Sequence, residues 1–140
     1  MHTWHIHPNP TDSTLQWSVV GPDRDAAWPY FFSGIRLEAY PNVITAAASE
    51  TGYDSNGTGV SFPADVAAAA PQETPLAADS VEIYVPGFED SVLPRATFYA
   101  VLLAFGERLA AQPDRPGAWY AAMGAALDKL RAKMAADAAG

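Results

Sequence analysis

The chain has no cysteine among its 140 residues. That excludes disulfide stapling, thiolate catalysis and thiolate-held zinc or iron–sulfur centres together, and it accords with a reducing compartment. Lysine is nearly as scarce, the first of two standing at position 129, and no Lys or Arg at all occurs from Leu37 to Pro94. Neither a GxxxxGK phosphate loop nor a GxSxG nucleophile elbow is present. All three histidines lie in the first seven residues, away from any convincing nucleophile. The longest strongly apolar run, 99 to 105, is far short of the roughly 20 residues that cross a bilayer. MHTWHIHPNP lacks a basic region leading into an apolar core, so no secretory signal is read there and a cytoplasmic location is expected.

What is present is acid. Eight bases against sixteen acids give a net charge of −8, which opposes binding to nucleic acid or anionic lipid. The segment 37 to 94 holds nine of the acids (Glu38, Glu50, Asp54, Asp65, Glu73, Asp79, Glu82, Glu89 and Asp90) and none of the bases. The two ends of the chain nearly balance, so the middle carries the charge. With 49% apolar residues, a single domain spanning 1–140 is the natural count.

Periodicity predicts about five strands and then two helices. Residues 14 to 21 alternate, with Leu15, Trp17 and Val19 on one side, and Gly21-Pro22-Asp23 ends the run. Phe31, Ile35, Leu37 and Ala39 share a side of a strand over 30 to 40, which Pro41-Asn42 turns into a weaker strand at 43 to 49, although its alanines suit a helix equally well. Asn56-Gly57 predicts a tight hairpin turn, with 60 to 62 as the returning strand. Residues 62 to 79 read as connection, with one or two helical turns at 65 to 70. The strand at 80 to 85 points Val81, Ile83 and Val85 inward and Glu82 and Tyr84 outward, and Pro86-Gly87 ends it. Ser91 reads as the cap of a helix with Pro94 in its first turn and a buried stripe of Phe98, Val101, Leu102, Phe105 and Leu109. A second helix spans about 117 to 137, with Tyr120, Met123, Leu127, Leu130 and Met134 as its seam. The expected fold is α+β: a mostly antiparallel sheet of about five strands with two C-terminal helices packed on one face.

Three chemistries compete for these residues. His2, His5 and His7 have the donor type of a zinc site, and a small metal-assisted hydrolase is one reading, set against exposed strand histidines at a chain end. Asp54 to Thr58 places oxygens at alternate positions as a calcium loop does, but its twelfth position is Asp65 rather than Glu and follows Pro63. No cofactor is expected. The third chemistry is recognition: Tyr40, Tyr53, Phe62, Tyr84 and Phe88 lie within the acid-only segment. Rings give desolvated contact while carboxylates steer a cationic partner and select its sign.

In size, acidity, absence of cysteine and expected build, the chain resembles bacterial immunity proteins, the antidotes to toxin domains of contact-dependent inhibition systems. The resemblance is one of general character and rests on no motif. It implies a cytoplasmic protein, not an enzyme, that binds a basic toxin domain such as a nuclease and contacts neither nucleic acid nor membrane. Local reasoning makes Glu82, Tyr84, Phe88, Glu89 and Asp90 the first partner-binding candidates, with Glu50, Tyr53 and Asp54 second. An adaptor or structural protein for another basic partner is the alternative binder.

Overall fold

A computed structural model describes residues 4–22 and 26–140. The expectation of about five strands and two helices is overturned: five α-helices dominate the described residues, with one sheet of two strands and one of four.

The first sheet is an antiparallel hairpin in which β1 (His5–Pro8) pairs with β2 (Trp17–Val20), Ile6 lying opposite Val19. The Gly21-Pro22-Asp23 stop reaches partly outside the described residues, since Asp23 is beyond them. Next come α1 (Trp28–Gly34), a 3-10 turn at Leu37–Ala39 and α2 (Tyr40–Ala48), covering the stretch expected to hold two strands. The competing period won for a visible reason. Trp28, Phe31 and Phe32 form one buried stripe at helical spacing, and Tyr40, Val43, Ile44 and Ala47 form another. Pro29 and Pro41, which look like breakers, lie in the first turns of these helices, where a missing N–H costs nothing.

The second sheet runs β3-β4-β5-β6, antiparallel throughout. β3 (Tyr53–Ser55) and β4 (Thr58–Ser61) are joined by Asn56-Gly57, at φ 54° and 85°. Positive φ at both positions is the type I′ geometry that matches strand twist. α3 (Pro63–Ala69) begins where the Asp65 carboxylate accepts the Phe62 N–H at 2.7 Å, and β5 (Ser80–Tyr84) follows. Ser91 is not a helix cap: it opens β6 (Ser91–Pro94), which pairs with β5, and α4 (Arg95–Ala110) starts only after Pro94. A proline that ends an edge strand lacks only an N–H the ladder does not need. α5 (Gly117–Ala139) completes the described chain.

One face of this sheet supplies Val60, Val81, Ile83 and Leu93 to the core, each at most 2% exposed. α1 and α4 pack on that face, and α5 packs against α2 and α4. Phe98 lies at the centre, its ring 5.8–6.4 Å from those of Phe31, Phe32, Phe62 and Tyr99. All five residues of the expected α4 stripe are fully buried. Within the α5 seam, Met123, Leu127 and Leu130 are buried, while Tyr120 and Met134 lie at its margin. Buried Gln112, just past α4, holds the hairpin to the body: it accepts the Gln16 N–H at 2.9 Å and donates to the Thr14 carbonyl at 3.1 Å.

Candidate partner-binding face

Because side chains alternate along strands, the face of the four-stranded sheet turned away from the core is fixed by register. Asp54 stands opposite Gly59, Gly59 opposite Tyr84, and Glu82 between Ser61 and Val92. Asp54, Glu82, Tyr84 and Val92 therefore share this outward face, and Val92 is 58% exposed. The β5–β6 turn adds Phe88, Glu89 and Asp90, all exposed. Pro86 of that turn approaches Gly57 of the β3–β4 turn, so both turns occupy one end of the sheet.

Tyr84 is held in place by what Gly59 lacks. A Cβ at Gly59 would come within 2.5 Å of the Tyr84 hydroxyl and ring and of the Tyr53 carbonyl oxygen, so the ring lies directly across the glycine toward β3. It borders a shallow depression of about 220 Å³, with Tyr53, Asp54, Ser61 and Asp65 around it. Burial raises the Tyr84 hydroxyl pKa, and the hydrogen bond and negative charge of Asp54 raise it further.

The acids of the middle segment fall into two groups. Glu38 pairs with Arg36 at 3.7 Å, and Asp65 caps the start of α3. Glu50 belongs to a closed ring of four charges. Its two carboxylate oxygens meet Arg95 at 2.7 Å and Lys133 at 2.9 Å, and Asp137 meets the same two cations at 3.3 and 3.0 Å. Asp54, Glu82, Glu89 and Asp90, by contrast, make no ion pair among the described residues, nor do exposed Glu73 and Asp79 in the connection before β5.

Of the eight sequence candidates, the structure thus brings Asp54, Glu82, Tyr84, Phe88, Glu89 and Asp90 to one face and one end of the sheet. Tyr53 alternates to the other side and packs against the core. Glu50 stands apart, in the charge ring. Sequence reasoning missed Tyr30, which is 48% exposed and stacks on Phe88 with ring centroids 5.1 Å apart. A helical reading of 28 to 34 would have found it, since residue 30 falls opposite the stripe of Trp28, Phe31 and Phe32.

The competing sites have less geometry behind them. His5 and His7 are exposed on β1, their rings 6.4 Å apart, and His2 lies outside the described residues. Among the described residues no group of three or more His, Asp or Glu is placed to hold a metal ion, and no helix is long and apolar enough to cross a membrane. Asp65, the twelfth position of the calcium-loop reading, has its Oδ2 on the Phe62 N–H. No family model, curated protein or solved structure matches the chain.

Proposed function

We propose that this chain is a cytoplasmic immunity protein that binds and neutralises a cationic toxin domain through the outward face and turn end of its four-stranded sheet. The observation that carries the reading is the division of the acids. Glu38 and Glu50 are paired with the protein's own cations and Asp65 caps α3, whereas Asp54, Glu82, Glu89 and Asp90 come together at one face and end of the sheet with no cation paired to them among the described residues; the likewise unpaired Glu73 and Asp79 lie apart, in the connection before β5. Like charges held together repel, and a cationic surface relieves that repulsion while the exposed Phe88 and Val92 supply contact that excludes water. A nuclease domain fits best, because a surface that must hold a polyanion is itself positive. Binding of another basic protein by an adaptor would use the same face. No observation favours the hydrolase reading.

The test is protection of growth. The genes flanking this one are searched for a secreted protein with a basic C-terminal domain, and the chain is co-expressed with that domain as wild type, as the triple variant E82K/E89K/D90K, and as the charge control E73K/D79K; the lack of any such gene counts against the reading. The triple variant is expected to lose protection and the control to keep it, with a complex that weakens as salt is raised. Full protection by the triple variant overturns the reading, and so does failure of the wild type to bind or protect.

A further inference from the structure

Phe88 is the exception among its kind. The chain has six phenylalanines; the other five are fully buried, whereas Phe88 is 46% exposed. It is nonetheless not loose. The Phe88 N–H donates to the Val85 carbonyl at 3.2 Å across Pro86-Gly87, and Gly87 sits at φ 85°. Proline followed by a glycine at positive φ within such a four-residue turn is the type II pattern, which fixes the direction in which the fourth residue leaves. Tyr30, from the far side of the molecule's sequence in α1, then stacks on the Phe88 ring with an interplanar angle of 20°. Two half-open rings are thus presented in a set orientation, so that little side-chain freedom remains to be lost on binding.

The two residues after Phe88 are Glu89 and Asp90, both exposed and neither ion-paired among the described residues. An aromatic face beside carboxylates discriminates between the two basic side chains. Guanidinium is planar and weakly hydrated; it stacks flat on a ring while its edge donates paired hydrogen bonds to a carboxylate. Ammonium is compact and strongly hydrated, and gains mainly from charge.

We propose that the Tyr30–Phe88 stack with Glu89 and Asp90 is an arginine-docking corner, the point at which this protein selects arginine over lysine on the surface of its basic partner. The proposal rests on the partner-binding reading and adds to it a named anchor and a named side-chain preference.

Two peptides of equal length and charge, one built with arginines and one with lysines, test it by titration into the full chain with NMR detection of the Tyr30 and Phe88 rings. The arginine peptide is expected to shift both rings saturably, and the lysine peptide to bind about two- to fivefold more weakly. In F88A, an exposed site where folding is not at stake, the preference disappears while salt-sensitive binding near Asp54 and Glu82 persists. Equal ring shifts with both peptides overturn the proposal, as do arginine-induced shifts confined to Asp54 and Glu82, or no shifts at all. In the growth assay, full protection by both F88A and Y30A would overturn this corner alone. Protection by E82K/E89K/D90K would overturn the underlying reading as well.

Discussion

The indole N–H of Trp119, in the first turn of α5, donates to the main-chain carbonyl of Leu37 at 3.0 Å, joining residues 82 positions apart in a buried contact. The same carbonyl accepts the Tyr40 N–H where α2 begins. One side chain therefore locks the start of the last helix onto the turn that launches α2. Trp119→Phe keeps most of the apolar contact and deletes the donor, so it is expected to lower unfolding free energy by about 1–3 kcal/mol through the lost bond and the smaller ring. Urea denaturation measures this, and an unchanged midpoint would refute the role.

Glu50 occupies a position that helices usually give to glycine. α2 ends with the Glu50 N–H on the Ala47 carbonyl and the Thr51 N–H on the Ala46 carbonyl, and Glu50 itself lies at φ 54°. That is the Schellman arrangement, and a left-handed conformation costs a side-chain-bearing residue about 1–2 kcal/mol. The carboxylate offsets the strain by bonding Arg95 and Lys133. These charges remain partly exposed, so salt screens them. Glu50→Gly is therefore expected to be close to neutral at low ionic strength and more stable than wild type in 1 M NaCl. An equal loss of stability at both salt concentrations would contradict the account.

Alkaline pH should unfold the protein through Tyr99. Its hydroxyl donates to the Ala47 carbonyl at 2.7 Å, and burial pushes its pKa from 10.0 up to about 12 despite the opposing charges of Lys133 and Arg95. The unfolded chain releases this proton near pH 10 while the fold retains it, so stability is full below pH 10 and falls as pH rises toward 12. Lys133, raised by its hydrogen bonds to Glu50 and Asp137, acts in the same direction. Tyr99→Phe should lose about 1 kcal/mol at neutral pH and flatten this limb by up to about 1.4 kcal/mol per pH unit. Tyr40, also raised by burial, leaves a residual slope. Denaturation curves at pH 9, 10 and 11 decide; parallel limbs for mutant and wild type would count against Tyr99.

Gly59→Ala places a methyl group within 2.5 Å of both the Tyr53 carbonyl oxygen and the Tyr84 ring. A cost of about 1–3 kcal/mol is expected, with displacement of the Tyr84 ring resonances. Adding Tyr84→Ala should recover only part of the loss, because the main-chain carbonyl stays in place. Full recovery in the double variant would show that the backbone contact is soft.

Charge reversal separates the two groups of acids by stability alone. Glu89→Lys and Asp90→Lys are expected to change unfolding free energy by no more than about 0.5 kcal/mol, since nothing in the described fold uses these carboxylates. Glu50→Lys, which turns two ion pairs into repulsions, should cost measurably more at low salt. Thermal melts of the three variants side by side provide the comparison; equal losses would mean that Glu89 and Asp90 have structural partners after all.

The legible parts of the fold were those in which one local rule acted alone. Asn-Gly between short strands yields a type I′ turn, the alternation of Val81 and Ile83 with Glu82 and Tyr84 is the observed β5, and Phe98 to Leu109 recur as the buried stripe of α4. The errors came where two rules shared the same residues. Phe31, Ile35 and Leu37 satisfy a period of two, while Trp28, Phe31 and Phe32 satisfy 3.6, and Pro41, whose pairing with Asn42 predicts a turn, sits in the first turn of α2. Ser91 followed by Pro94 has the pattern of a helix start, yet the edge beside β5 captured it as a strand. The candidate face was legible as far as strand parity reached, which placed Glu82 and Tyr84 outward.

Composition and parity alone establish an acid-rich middle segment and the outward direction of its β5 side chains, because charge is counted along the chain and alternation is a property of an extended backbone. Which carboxylates keep a cation is another matter. Glu50 meets Lys133 across 83 positions only once α5 has packed against α2, and Tyr30 meets Phe88 only once α1 has packed on the four-stranded sheet. Neutralised and open acids are identical in the unfolded chain; burial of the shared core brings some of them to cations and leaves others facing water.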